Sequence, residues 1–113
     1  MPPLSIRNER RVLEKIHFLA KSRYEGYPTS IEEDNEILKR EDLTFNQRNC
    51  VLMRHGEKTI LIFLIDMTSV FLKMLDMNFK NARKEFESLP DARKDATRDY
   101  VTHCLLHLIK KGT

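Results

Sequence analysis

The chain has 113 residues, of which 33% are charged and 41% apolar, with three glycines and four prolines. That length suits one domain, the balance excludes a disordered chain, and so few turn formers argue against an all-β architecture with many loops. The net charge of +3 is weakly basic, and the excess is local: residues 1–23 carry six basic residues against Glu9 and Glu14.

Residues 1–4 read as a short lead-in. Ser5 is a fitting N-cap for a first helix reaching about Arg23. Ile6, Val12, Leu13, Ile16, Leu19 and Ala20 fall at helical spacing as its apolar stripe, with Arg7, Glu9, Arg11 and Lys15 on the other sides. Tyr24, Gly26 and Pro28 end it. A basic helix face of this kind suits an acidic protein surface, a nucleic-acid backbone, or water alone.

Ser30 followed by Glu33 is a capping box, and Thr29 with Glu32 offers the same pairing one residue earlier. Glu32, Glu33 and Asp34 place negative charge in the first turn, where the helix dipole favours it. This second helix runs from about Ile31 to Lys39 with Ile31, Ile37 and Leu38 as its apolar edge. Thr44 with Gln47 forms another capping box and opens a third helix through Cys50, Val51, Leu52 and Met53. Gly56 then marks a close helix contact, a kink or a helix end, since glycine inside a helix costs about 1 kcal/mol relative to alanine.

From Glu57 the chain reads helical to about Met77, with Ile60, Leu64, Met67, Phe71 and Met74 recurring at three and four. Residues 78–90 extend that helix with a polar face until Leu89-Pro90 stops it. A last helix opens at Pro90 or Asp91. Its stripe is Ala92, Ala96, Tyr100, Cys104 and Leu108, joined by Val101, Leu105 and Ile109, and Gly112 is its stop. The densest apolar run, Ile60–Ile65, is far short of the roughly 20 residues that span a membrane. The predicted fold is all-α, a four- to five-helix bundle or open helical array in a single domain.

The order Tyr27-Pro28-Thr29-Ser30-Ile31-Glu32-Glu33-Asp34, then Ile37-Leu38, Leu43-Thr44, Arg54-His55-Gly56-Glu57-Lys58 and Ile60-Leu61, resembles the substrate-binding domain of the Rubisco large-subunit methyltransferase family. That domain is the C-terminal helical part of SET-domain protein-lysine methyltransferases. The resemblance covers residues 7–65 and leaves 66–113 as a helical extension of unknown relation. Helices that precede the equivalent of Ile6 in the family have no counterpart, and no SET-domain motif is present. The resemblance therefore implies a piece of the binding domain with the chemistry absent. Thr29, Ser30, Glu33, Thr44, Gln47 and Gly56 are structural in this reading.

The remaining chemistry-bearing residues read plainly. His103 and His107 stand at i, i+4 beside Cys104, but no third metal ligand accompanies them at a recognisable spacing. Cys50 and His55 point some 140° apart on a helix and lack an orienting third group. Both cysteines are expected to be reduced and buried, consistent with an intracellular protein. No secretory signal is visible, and no glycine-rich loop for a phosphate. Met53, Met67, Met74 and Met77, with Phe63 and Phe71, are either core or an adaptable partner-binding face.

The function expected is a non-catalytic protein-binding module that docks a protein substrate or packs on a SET-domain protein. Arg7, Arg11 and Lys15 are the candidates for polar contact. No catalytic, cofactor-binding or metal residue is assigned, and S-adenosylmethionine enters only if a SET domain is attached. An alternative is a fragment of such an enzyme, which the start of the chain in mid-domain favours. Others are an independent small helical interaction protein and a basic nucleic-acid binder, for which the first helix is thinly charged. No membrane partner is expected, and the location expected is cytoplasmic or nuclear.

Overall fold

The computed structural model describes residues 5–112; the lead-in at residues 1–4 lies outside them. The described residues are all-α, with no strand among them. Helix α1 spans Ile6–Glu25, α2 Ile31–Leu38, α3 Phe45–Leu75 and α4 Phe79–Glu87. The last rod is α5, Asp91–Tyr100, a π-helical segment at Val101–Leu105, and α6, Leu106–Gly112.

Each helix start has a local cause. The Asn8 N–H donates to Ser5 Oγ at 3.1 Å and opens α1. At α2, the Glu33 N–H donates to Ser30 Oγ while the Ser30 N–H donates to the Glu33 carboxylate, so two backbone donors are satisfied by one pair of side chains. Thr44 and Gln47 form the same reciprocal pair at the start of α3. Arg48 then donates to the carbonyls of Leu38 and Arg40, tying the first turn of α3 to the end of α2.

Four expectations are corrected. The helices expected on either side of Gly56 are one helix of 31 residues, about 46 Å long at 1.5 Å per residue. A Cβ on Gly56 would meet nothing within 4 Å, so the residue marks neither a helix end nor a close contact within the chain. Residues 78–90 do not extend α3: Asn78 accepts from the Asn81 N–H at 2.8 Å and starts α4 afresh, the role its short carboxamide fills better than a helix interior. The stripe of α1 is narrower than its apolar spacing suggests, because Leu13 and Ala20 are buried while Val12, Phe18 and Leu19 are exposed. On the last rod the buried seam runs through Thr97, Val101, Leu105, Leu108 and Ile109, and Ala92 and Ala96 face outward. The seam keeps i, i+4 spacing from Thr97 through Val101 and Leu105 to Ile109, across the π segment, with Leu108 beside it.

The described residues form two compact units, one from residues up to Lys15 with Thr68 onward, the other from Ile16–Met67. The first holds most of the buried apolar side chains, with Phe71, Met74, Leu75, Ala82, Phe86, Val101 and Leu105 among them. Polar ties add to it: Arg10 pairs with Asp76 at 2.6 Å, the Tyr100 hydroxyl donates to Glu9, and the Phe71 and Tyr100 rings lie 5.4 Å apart. Met67, Phe71 and Met74 are thus core, whereas Met53 is exposed. The second unit buries few apolar side chains, Ala20, Val51 and Met67. No helix among the described residues is long and apolar enough to cross a membrane.

Two substitutions read these environments by urea unfolding. Met74→Ala, at 0% exposure, is expected to cost about 2–5 kcal/mol. Gly56→Ala, with open space around it, is expected to stabilise the chain by about 1 kcal/mol. A loss of stability for Gly56→Ala would mean that the α3 backbone there is not an ordinary exposed helix.

Candidate functional site

The second unit is organised by three polar side chains where an apolar contact would be ordinary. Asp34 sits in the first turn of α2, on the same edge as Ile31, Ile37 and Leu38. Lys58 sits on α3 one heptad after Val51 and one before Ile65. Both side chains have 0% exposure. Lys58 Nζ donates to Asp34 Oδ2 at 2.6 Å and to Thr29 Oγ1 at 2.8 Å, and the Thr29 hydroxyl donates in turn to Asp34 Oδ1 at 2.7 Å. The ammonium also lies 4.9 Å from the centre of the Tyr27 ring. Each charged group therefore meets an opposite charge and a neutral partner, as a buried ion pair requires.

Burial pushes the Asp34 carboxyl up, but the Lys58 and Thr29 hydrogen bonds and the charge of Lys58 outweigh it and hold the group below the usual carboxylate range. The Arg54 charge acts in the same direction, and the Nε of Arg54 is buried without a hydrogen-bond partner. Above the pair, Arg23 Nε donates to Glu57 at 2.7 Å. The Tyr27 hydroxyl and Arg23 together hold the Glu57 carboxyl below its ordinary value. The residues at 23, 27, 29, 34, 57 and 58 thus fasten the turn after α1, the start of α2 and the middle of α3 to one another.

What this cluster displays is the outer side of α3. Phe45, Met53 and Ile60 are 79%, 76% and 62% exposed, and Leu52 is exposed beside them. With Gly56 they fall within one arc of roughly 100° by helical spacing, so the exposed apolar residues form a stripe with a glycine in it. On α1, Phe18 and Leu19 are exposed in the same unit.

Of the residues singled out from sequence, Ser30, Glu33, Thr44 and Gln47 are at the two caps, and Thr29 is in the buried cluster. Gly56 is on the exposed stripe. Arg7, Arg11 and Lys15 are exposed on one ridge of α1 and belong to the other unit. Cys50 is exposed rather than buried, because it precedes inward-facing Val51 by one residue and so points about 100° away from it. Burial, together with the nearby Glu9 carboxylate, pushes the Cys104 thiol up to about 11, the opposite of what a nucleophile needs. No group of three His, Cys, Asp or Glu side chains able to hold a metal is present among the described residues.

The sequence reading missed Asp34 and Lys58 as partners, since Asp34 was explained by the dipole alone. The available signal was Lys58 itself, a charge on the inward register of an apolar helix.

The sequence model of the family described as Rubisco LSMT substrate-binding matches residues 1–61. No curated protein and no solved structure matches the chain.

Lys58→Met is expected to destabilise the chain by about 3–5 kcal/mol, because it leaves a buried carboxylate alone. Adding Asp34→Leu should recover most of that loss; a double variant no better than the single would show that the pair does not act as a unit. Thr29→Val should cost about 1–3 kcal/mol. The pH dependence follows from the lowered Asp34 carboxyl: its contribution is fully present above the unfolded carboxylate value of about 4 and is lost as pH falls through the lower folded value. Acid unfolding followed by circular dichroism should therefore be shifted toward neutral pH in Thr29→Val.

Proposed function

The chain belongs to the Rubisco LSMT substrate-binding family, and on that footing we propose that it is a non-catalytic protein-docking module of SET-type protein-lysine methylation. Its partner is either the protein substrate or a SET-domain protein that holds S-adenosylmethionine and performs the transfer. Its place of action is intracellular, in the cytoplasm or nucleus.

The observation that carries this reading is the imbalance of the second unit. Few of its apolar side chains are fully buried, while Phe45, Leu52, Met53 and Ile60 stand exposed on one arc of α3. An exposed apolar stripe of this kind marks protein interfaces. Gly56, in line with Met53 and Ile60, lets a partner backbone approach α3 closely. The ridge of Arg7, Arg11 and Lys15 belongs to the first unit and is a separate candidate for polar contact with an acidic protein surface. The buried Asp34–Lys58 pair is then scaffolding: it fixes the helices that present the stripe and touches no partner.

A photo-crosslinking residue placed at Met53 in the source cells tests this. The expected product is a covalent adduct with a SET-domain protein or with a lysine-methylated protein, lost in Ile60→Asp. Adducts only with the chain itself, or adducts indifferent to Ile60→Asp, would overturn the reading.

A further inference from the structure

The first unit contains a cleft that lies wholly outside the family-matched residues 1–61. It has a volume of about 370 Å³ and lies between α4 and the last rod. Phe79, Phe86 and Leu106 give it apolar walls, and Arg83, Arg98 and Lys110 stand around it. Two of these cations are held over the two rings: Lys110 Nζ is 5.5 Å from the centre of Phe79, and the Arg98 guanidinium 5.8 Å from that of Phe86. One carboxylate, Glu87, also lines the cleft. Its charge is offset by Lys94, whose ammonium is 3.8 Å from the carboxylate and donates to the Glu87 carbonyl. Arg98 shares its charge with Asp95 at 3.4 Å, whereas Arg83 makes no ion pair among the described residues.

We propose that this cleft is a docking site for an acidic peptide segment carrying apolar side chains. Two features select that occupant. The cleft combines aromatic walls with cations aimed across them, so one side chain can be desolvated while a neighbouring carboxylate meets Arg83 or Lys110. The cleft is continued along α4 by a second depression that shares Phe79, Arg83 and Glu87 and adds Lys80, Lys84 and Ser88, which suits an extended chain rather than a compact small molecule.

The π segment supplies the far wall. Thr102 lies within it and Leu106 follows it directly. π segments inside α-helices are frequent at functional sites. Here the segment stands in an otherwise regular rod at the level of the cleft. The proposal does not depend on the function assigned to the second unit, and either can fail alone.

The test uses the full chain and a fluorescently labelled peptide that alternates Asp and Glu with Phe and Leu. Binding is read by anisotropy at low and physiological salt. The expected result is saturable binding that weakens roughly tenfold or more in Arg83→Glu, the size of one lost charge-assisted contact, and equally in Thr102→Trp, which fills the cleft without changing charge. Arg40→Glu, in the second unit, should leave binding unchanged. Replacing the acidic residues of the peptide with Asn and Gln, or the apolar ones with Ala, should each abolish most of the binding. Circular dichroism establishes that the variants are folded. The proposal is overturned if the neutral peptide binds as well, if folded Arg83→Glu and Thr102→Trp bind like the parent chain, or if single-stranded DNA or phosphatidylserine vesicles compete better than unlabelled peptide.

Discussion

A lysine and an aspartate, both at 0% exposure and 2.6 Å apart, hold the second unit of this chain in its shape. Removing two charges from water costs several kcal/mol per ion, and here the cost is offset by a complete set of partners. The carboxylate receives Lys58 on one oxygen and Thr29 on the other; the ammonium has the carboxylate, the hydroxyl and the face of Tyr27. An apolar pair of the same volume could be as stable, but it would accept sliding of one helix along another. Hydrogen bonds of this geometry do not. The interaction ties the start of α2 to the middle of α3 at one defined pairing of residues.

The two units solve the problem of cohesion differently. The first closes around Phe71, Met74, Phe86, Val101 and Leu105, with the Tyr100–Glu9 and Arg10–Asp76 ties at its margin. The second buries Val51 and Met67, half-buries Ile37, Leu38, Leu61 and Phe63, leaves Phe45, Met53 and Ile60 exposed, and adds a buried polar fastening. That fastening specifies the backbone without consuming the apolar residues of the exposed stripe. The functional reading of the second unit rests on that division, and the cleft of the first unit draws on different residues and a different physical principle.

Much of the fold was legible because its determinants are local. Ser30 with Glu33 and Thr44 with Gln47 sit within one turn of each other, and the recurrence of Met67, Phe71 and Met74 declares a buried helix face. The family, too, was legible from the paired segments at 27–34 and 54–58. What was not legible depends on contacts distant in sequence. Asp34 and Lys58 are 24 residues apart, and in the chain Asp34 is indistinguishable from an ordinary first-turn acid. The continuity of α3 past Gly56 was hidden by a propensity cost that 31 residues of helix absorb. The restart at Asn78 was hidden because an apolar stripe and a basic face can be continued on paper through a break that one carboxamide makes. The cleft needed the approach of α4 to the last rod, which no spacing within either element announces.

Gly56 has one consequence for how this sequence is maintained. At an open helical position any side chain would fit, and alanine would make the free chain more stable. Selection for stability alone would therefore drift away from glycine there, and away from phenylalanine, methionine and isoleucine on the same arc, toward polar helix formers. Selection for an occupied surface would hold all four. Where a partner covers the stripe, the two faces of one helix answer to different demands: the inward face, with Val51 and Lys58, to folding, and the outward face to that partner.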